Sequence, residues 1–565
     1  MIQVKLQTIA KQLNKTITDI AHDTGLNRNT ITALYHNQVD GIKFGTIEQI
    51  CKTYRLKLND LIEMQIDAER RSDFDLPPKL YKQEGSIVPF TCWPWVMAIT
   101  QPDQAVFSDH YSILYAYFQR DYGMGYWDYY NMQRVSQGVY RRYNSPKDLE
   151  LLFQIFLPYA RSLEAAYRNL DIEALLQMSA SQVRQFSDGI WDQYRQFWVY
   201  SLFIDSFDAG FDQEQIQIIA KKYDLTIDEI VVLTTPQELA FTNERYIELL
   251  KIAKRLSRHK SLGMPTVTAV KEVIAGDEGV AEYIKAFDYY KSNYAHISHI
   301  TLEETAEELT KYLLDKDLLT AELHRLEQYS AQQIKKQKAV LRKHRLTHNP
   351  LEFFAKLTFW REYRKQVNLK GIHVLDGLLQ ALQKQTGIPY RYLQYLSFEE
   401  VDAVLKGLVS LDVLKKRCEQ GGLVIIQGNS YKMIEGDEAS SLRDDLEEML
   451  NEANEDPVVI PGNIASQGYA RGVAKVILDR AEFDKLEEGE ILVTGMTRPE
   501  FVPVMKKAAG IVTNEGGITC HAAIVSRELG KPCIIGTKNA TQLIHDGDLI
   551  EVRANHGSVR ILKRA

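Results

Sequence analysis

TNEGGITCHAAIVSR, residues 513–527, is the stretch whose reading decides the fold. It sets His521 directly after a Gly-Gly turn and at the head of an apolar segment with helical spacing. The residues before it, AAGIV at 508–512, read as a short buried strand. The order is therefore strand, glycine turn, histidine, helix. A helix N-terminus carries N–H groups without intrahelical partners and a partial positive charge. A phosphate can be held there. Neutral imidazole is a nucleophile near neutral pH, because its ordinary pKa is about 6.5. The positive helix end favours the neutral ring and would also favour a phosphoryl group carried on it. The plain alternative is a solvent-facing histidine that caps a helix and does no chemistry.

GGITCHAAIVSRELGKPCIIG, residues 516–536, resembles the phosphohistidine loop of phosphoenolpyruvate synthase and pyruvate phosphate dikinase. The likeness extends upstream through TGMTRPE at 494–500 and PVMKKAAG at 503–510. Downstream it takes in DGD at 546–548 and residues 550–552. In that family this domain swivels, and its histidine shuttles a phosphoryl group between distant sites. The resemblance implies a β/β/α swivelling phosphohistidine domain at 457–565. It makes His521 the phosphoryl carrier and Gly516 and Gly517 the loop glycines. Thr519 matches a threonine that some members phosphorylate for regulation, and Cys520 sits where relatives carry Ser or Cys. The β runs read at 472–478, 491–494, 510–513, 533–535, 549–553 and 559–562 agree with that fold.

Residues 1–65 read as short helices with tight punctuation. Ile9, Ala10 and Leu13 share one face of the first. Thr16 and Asp19 suit a capping arrangement, Thr24-Gly25-Leu26 a turn, and Asn27 a cap for a helix beginning at Arg28. The apolar spacing continues through Ile47, Ile50, Leu58 and Leu61. Glycine between two short helices marks a helix-turn-helix. The segments at 16–38 and 44–62 are similar to the lambda-repressor/Cro class. That class places the second helix of the motif in the major groove of duplex DNA, as a dimer. The resemblance puts Arg28, Asn29 and Thr32 at base edges, and a homodimer is expected. Eight basic against six acidic side chains leave the segment at only +2, so phosphate attraction is modest. The alternative is a small helical module for dimerisation or docking.

The middle of the chain is expected to be large and all-α. Residues 66–88, with the charged run 69–75 and Pro77-Pro78, read as a linker. From 89 to 450 helical signals dominate, with capping boxes at Thr226/Glu229, Thr301/Glu304 and Ser397/Glu400. Residues 90–143 are dense in Trp, Tyr and Phe. They build either a core or an aromatic pocket for a flat ligand. FWREYRK at 359–365, IPY at 388–390 and YLSFEE at 395–400 resemble the helical region before the swivel domain in rifampicin-phosphotransferase-like proteins, which holds the phosphoryl acceptor. Arg361, Arg364 and Lys365 then meet a phosphohistidine; otherwise they form a solvated helix face. The acidic segment 435–456 is either a mobile connection or a helical surface.

A net charge of -7 gives no chain-wide polyanion footprint. Five cysteines lie scattered, without a CxxC pair, which implies a reducing, cytoplasmic setting and no metal site. No signal segment or membrane-length apolar run is read. No Walker motif or ATP-grasp domain is read either, and the family's pyruvate-binding barrel does not follow before Ala565. The chain itself is expected to bind no cofactor. The phosphoryl donor, ATP or phosphoenolpyruvate, then acts through a separate ATP-grasp or other donor protein. Two functions fit these features. One is a DNA-binding regulator whose His521 is loaded in trans. The other is a phosphotransferase subunit that passes phosphate to a small molecule held in the helical region.

Overall fold

The computed structural model describes residues 2–565 except 14, 37–42, 55, 57–60, 65–75, 78, 101–110, 112, 206, 208–210, 260–261, 263–264, 428–429, 453–458 and 518–519. Leu58, Thr519 and the linker run 66–75 thus lie outside the described residues. The chain forms two compact units, residues 1–76 and 77–565.

The first unit holds helices Leu6–Gln12, Ile17–Thr24, Arg28–Tyr35 and Phe44–Tyr54. Strands Ile2–Val4 and Ile62–Met64 pair antiparallel and bring its two ends together. Thr16 and Asp19 form a reciprocal capping box. Gly25, at φ +66°, takes the left-handed cap that ends the second helix. Asn27 accepts the Asn29 N–H at 2.8 Å and starts the third. Leu6, Ile9, Ile20, Ile31, Leu34 and Ile50 form the core. Leu13 falls outside it, at 42% exposed, because the helix ends one residue before it.

In the second unit, the long helix Glu352–Thr386 packs against Pro146–Arg168 and Ala180–Asp205. Its contact with the latter is close. Gly371 faces Tyr194, which is fully buried and whose hydroxyl donates to the Asn368 carbonyl at 2.9 Å. The expectation of helices throughout 89–450 needs one correction. Strands Leu80–Ser86, Tyr122–Asp128, Ile113–Gln119, Gly422–Gln427 and Ser430–Glu435 form an antiparallel sheet in that order. Its first strand also occupies the end of the expected linker. Runs this short cannot be told from buried helix by periodicity, and the Ile113–Gln119 and Gly422–Gln427 strands pair across some three hundred residues of intervening chain. The acidic segment is a helix, Asp437–Glu452.

The C-terminal region is an eight-stranded sheet. Its centre is parallel, running Tyr469–Val476, Ile491–Thr494, Gly510–Thr513 and Cys533–Ile535. Antiparallel strands flank it on both sides. Ile491, Val493, Val512 and Ile534 fill one face, and Leu492, Ile511, Cys533 and Ile535 the other. That alternation is what a sheet covered on both sides requires. Among the described residues no helix is long and apolar enough to cross a membrane.

The Gly371 contact generates a stability prediction. A Cβ at 371 would lie 2.7 Å from Tyr194 Cζ. Gly371→Ala should therefore lower the thermal midpoint, at a cost of roughly 1–3 kcal/mol for overpacking. An unchanged midpoint in differential scanning fluorimetry would show that the helices are not held at this distance.

Candidate functional site

Three parallel strands end at Thr494, Thr513 and Ile535, on one edge of the C-terminal sheet. Sheets of this kind bind ligands outside the carboxyl ends of their strands. Here Met496 and Thr497 follow the first strand, Asn514 to Gly517 and His521 the second, and Gly536 to Lys538 the third. All of them line one cavity of about 700 Å³.

His521 is the first residue of the helix His521–Glu528, and Cys520 precedes it in an extended conformation. Gly516 has φ +110°, and a Cβ there would lie 2.7 Å from Cys520 Sγ, so only glycine fits. The Gly517 carbonyl accepts the Cys520 N–H at 2.9 Å and closes the turn. Burial pushes the Cys520 thiol up to about 11, so it remains a thiol at neutral pH. The loop thus sets a histidine, not a thiolate, at the helix start.

The His521 ring is half-buried. Its Nδ1 lies 2.8 Å from the hydroxyl of Thr497, which is itself buried. When Nδ1–H donates to that hydroxyl, the lone pair sits on Nε2, which becomes the nucleophilic nitrogen. Burial, and then the charge of Lys365, push the ring's pKa down to about 3. The ring is therefore neutral throughout the physiological range.

The opposite wall of the cavity is one face of the long helix. Thr358, Arg361, Glu362 and Lys365 line it, spaced as residues on one side of a helix are. Of the three cations read as either meeting a phosphohistidine or forming a solvated face, Arg361 and Lys365 are half-exposed on this wall, and Arg364 is half-exposed beside it. Arg361 pairs with Asp212 at 2.9 Å. Lys365 makes no ion pair among the described residues, so its charge is left to the cavity. Arg364 pairs with Asp205 and lies over the Trp198 ring at 5.4 Å. It borders a second cavity of about 260 Å³, walled by Trp95, Tyr111, Trp127 and Trp198. Gln83, Met496 and Glu515 border both cavities. The aromatic segment thus supplies both core and pocket: Phe90 and Trp93 are fully buried in the core, while Trp95 and Trp127 wall the cavity.

In the N-terminal unit, Arg28 and Asn29 are exposed in the first turn of Arg28–Tyr35, and Thr32 is half-exposed one turn on. Ile31 and Leu34 of the same helix are buried, so the polar residues stand on its outer side. Sequence reasoning assigned no role to Thr497, Asp212 or Lys538. Thr497 was visible only as part of TGMTRPE, and nothing local links Asp212 or Lys538 to His521.

Residues 486–557 match the mobile domain of phosphoenolpyruvate-utilising enzymes. Residues 5–67 match the Cro/C1-type helix-turn-helix DNA-binding domain. The chain therefore carries both domains. A probable phosphoenolpyruvate synthase of Archaeoglobus fulgidus is 46% identical over 141 residues, which are 25% of this chain and 18% of that protein. The phosphoenolpyruvate synthase of Pyrococcus furiosus is 45% identical over 141 residues, 25% of this chain and 16% of that protein. That of Pseudomonas aeruginosa is 48% identical over 100 residues, 18% of this chain and 13% of that protein. The chain spans less than a fifth of the length of these relatives.

The ring's environment fixes a pH dependence. The folded pKa of His521, about 3, lies below the unfolded value of about 6.5. The native ring therefore binds fewer protons than the unfolded one. The stability it contributes is complete above about 6.5 and is lost as pH falls towards about 3. Ring resonances of His521, assigned by comparison with His521→Gln, should stay flat from about pH 5 to pH 8. A titration step near the ordinary histidine value would show that the ring is open to water.

Proposed function

We propose that this chain is a DNA-binding regulator in which His521 accepts a phosphoryl group from a separate donor protein and passes it on. The observation that carries this reading is the neutral His521 ring at a helix N-terminus, in a cavity also lined by Arg361, Lys365 and Lys538. The lone pair on Nε2 attacks phosphorus, and the bond from phosphorus to the donor's leaving oxygen breaks with that oxygen keeping the electron pair. Fixed cations and helix N–H groups then face the transferred charge, which is what phosphoryl transfer needs from a protein. The donor is fuelled by ATP or phosphoenolpyruvate. The exposed Arg28, Asn29 and Thr32 suit base-edge contacts, with Arg to guanine and Asn to adenine. Occupancy of His521 then sets how the N-terminal domain engages its operator.

A second reading has its own support in the aromatic cavity. It shares Gln83, Met496 and Glu515 with the histidine cavity, so an acceptor held there would lie beside the loaded ring. In this reading the acceptor's hydroxyl oxygen attacks phosphorus and the P–N bond breaks. His521 recovers its lone pair, and Glu515 takes the hydroxyl proton. The chain is then the acceptor-binding half of a phosphotransferase.

Protein isolated from its host should carry an acid-labile phosphate that is absent in His521→Ala; equal labelling of that variant would remove His521 from the scheme. The purified chain with ATP and magnesium should stay unlabelled, and self-labelling would mean that the donor lies within it. Selection from random duplexes at low salt should enrich a paired half-site. Arg28→Ala should weaken binding to that site by roughly 1–3 kcal/mol if Arg28 reads a guanine. Failure to enrich any sequence would hand the assignment to the phosphotransferase reading.

A further inference from the structure

The short 3-10 helix Asp288–Lys291 and the loop after it bring two histidines to one carboxylate. Asp288 Oδ2 lies 2.6 Å from His299 Nδ1 and 3.8 Å from His373 Nδ1. His299 comes from the loop and His373 from the long helix. Each of the three residues offers a ligand atom within 4.8 Å of the others. The 2.6 and 3.8 Å distances bracket the roughly 3.4 Å that two ligands about 2.0–2.2 Å from a tetrahedral ion would have.

Two of the three groups are also held from behind. Asp288 Oδ1 accepts the Ile300 N–H at 2.7 Å. His373 Nε2 lies 2.7 Å from Ser292 Oγ, and that hydroxyl lies 3.2 Å from the Ser298 carbonyl. A carbonyl only accepts. Ser292 Oγ also accepts the Ser298 N–H at 3.0 Å. When its own proton goes to the Ser298 carbonyl, His373 Nε2 is the donor and Nδ1 keeps its lone pair. That lone pair then sits by an anionic oxygen too far off for a hydrogen bond. His373 is only 4% exposed, so bulk water does little to relieve the arrangement. Metal-bound histidines take this form, with one nitrogen on the ion and the other N–H fixed by a protein oxygen.

We propose that Asp288, His299 and His373 form a site for a divalent transition metal, with zinc the best fit. Two imidazoles and one carboxylate are a ligand set that zinc accepts, with a fourth position for water. The His299 side chain is 58% exposed, which gives the ion a path from solvent. On binding, the proton now shared between His299 Nδ1 and Asp288 moves to His299 Nε2 or leaves to solvent. The ion would pin the loop to the long helix. That loop also carries Tyr294, whose ring lies 5.7 Å from the Arg498 guanidinium and borders the aromatic cavity. The metal is thus a structural staple beneath the surface on which the 495–498 loop rests. Cysteine spacing gave no hint of it, because it uses no cysteine and its ligands lie far apart in sequence.

The full chain, freed of metal by chelator, would be titrated with Zn²⁺ by calorimetry and with Co²⁺ by absorption spectroscopy. One ion per chain should bind at micromolar zinc, raise the thermal midpoint, and give a cobalt spectrum without a thiolate charge-transfer band. His299→Ala, at an exposed position, should weaken zinc binding by roughly 100-fold. Asp288→Asn, which keeps an oxygen for the Ile300 N–H, should do the same. Equal affinity in wild type and His299→Ala would overturn the assignment. So would a thiolate band, or no binding by the wild-type chain.

Discussion

A ring that is to carry phosphate must be uncharged before transfer and must meet positive charge after it. Those demands conflict only if the cations can protonate the ring. In this protein they do the opposite. Burial and the Lys365 charge keep the proton off His521, and the same charge would attract phosphoryl oxygens. Thr497 fixes the ring through Nδ1. The wall that supplies Arg361 and Lys365 opposite the neutral ring is a long helix from a different part of the chain.

That helix organises the larger unit. Over less than half its length it presents three kinds of surface. Thr358, Arg361, Glu362 and Lys365 line the histidine cavity; Arg364 borders the aromatic one; His373 meets Asp288. A straight helix fixes the rotation between such positions. The sites are therefore coupled in geometry even where their residues never touch. Close packing at Gly371 and Tyr194 holds the helix in place while its polar faces remain available.

What was legible in the sequence was local. The Gly-Gly-x-x-x-His run, the β runs of the C-terminal sheet and the caps at Thr16 and Asn27 all act within a few residues. The structure has the caps, the helix start at His521 and the strands from Ile491 onward where the pattern placed them. It begins the run read at 472–478 three residues earlier, and it adds two short strands, Val459–Pro461 and Asn463–Ser466, that the pattern did not show. The five-stranded sheet was not legible, because Ile113–Gln119 finds its partner only when residues 422–427 return to it. The role of Thr497 was hidden for the same reason: a hydroxyl after one strand meets a ring that starts a helix after the next. Arg361 and Lys365 were visible as cations, but whether they faced water or a cavity depended on a docking that no local pattern encodes. The aromatic segment offered a core or a pocket, and the fold uses it for both.

The hydrophobic clusters add a further point. Among the described residues, those of the C-terminal sheet contain only residues from 460 onward, and the main helical cluster ends at Ile426 with its peripheral residues at Met433. Where the two regions meet, named contacts are polar: Ser86 with Asp479, Thr541 with Glu84, Gln217 with Asn463, and Arg498 over Tyr294. Water can replace bonds of this kind at small net cost, whereas parting a shared apolar core exposes surface that water does not welcome. The seam therefore has the chemistry of a reversible joint. Parting the two regions along it would uncover the half-buried His521 ring without unfolding either hydrophobic core.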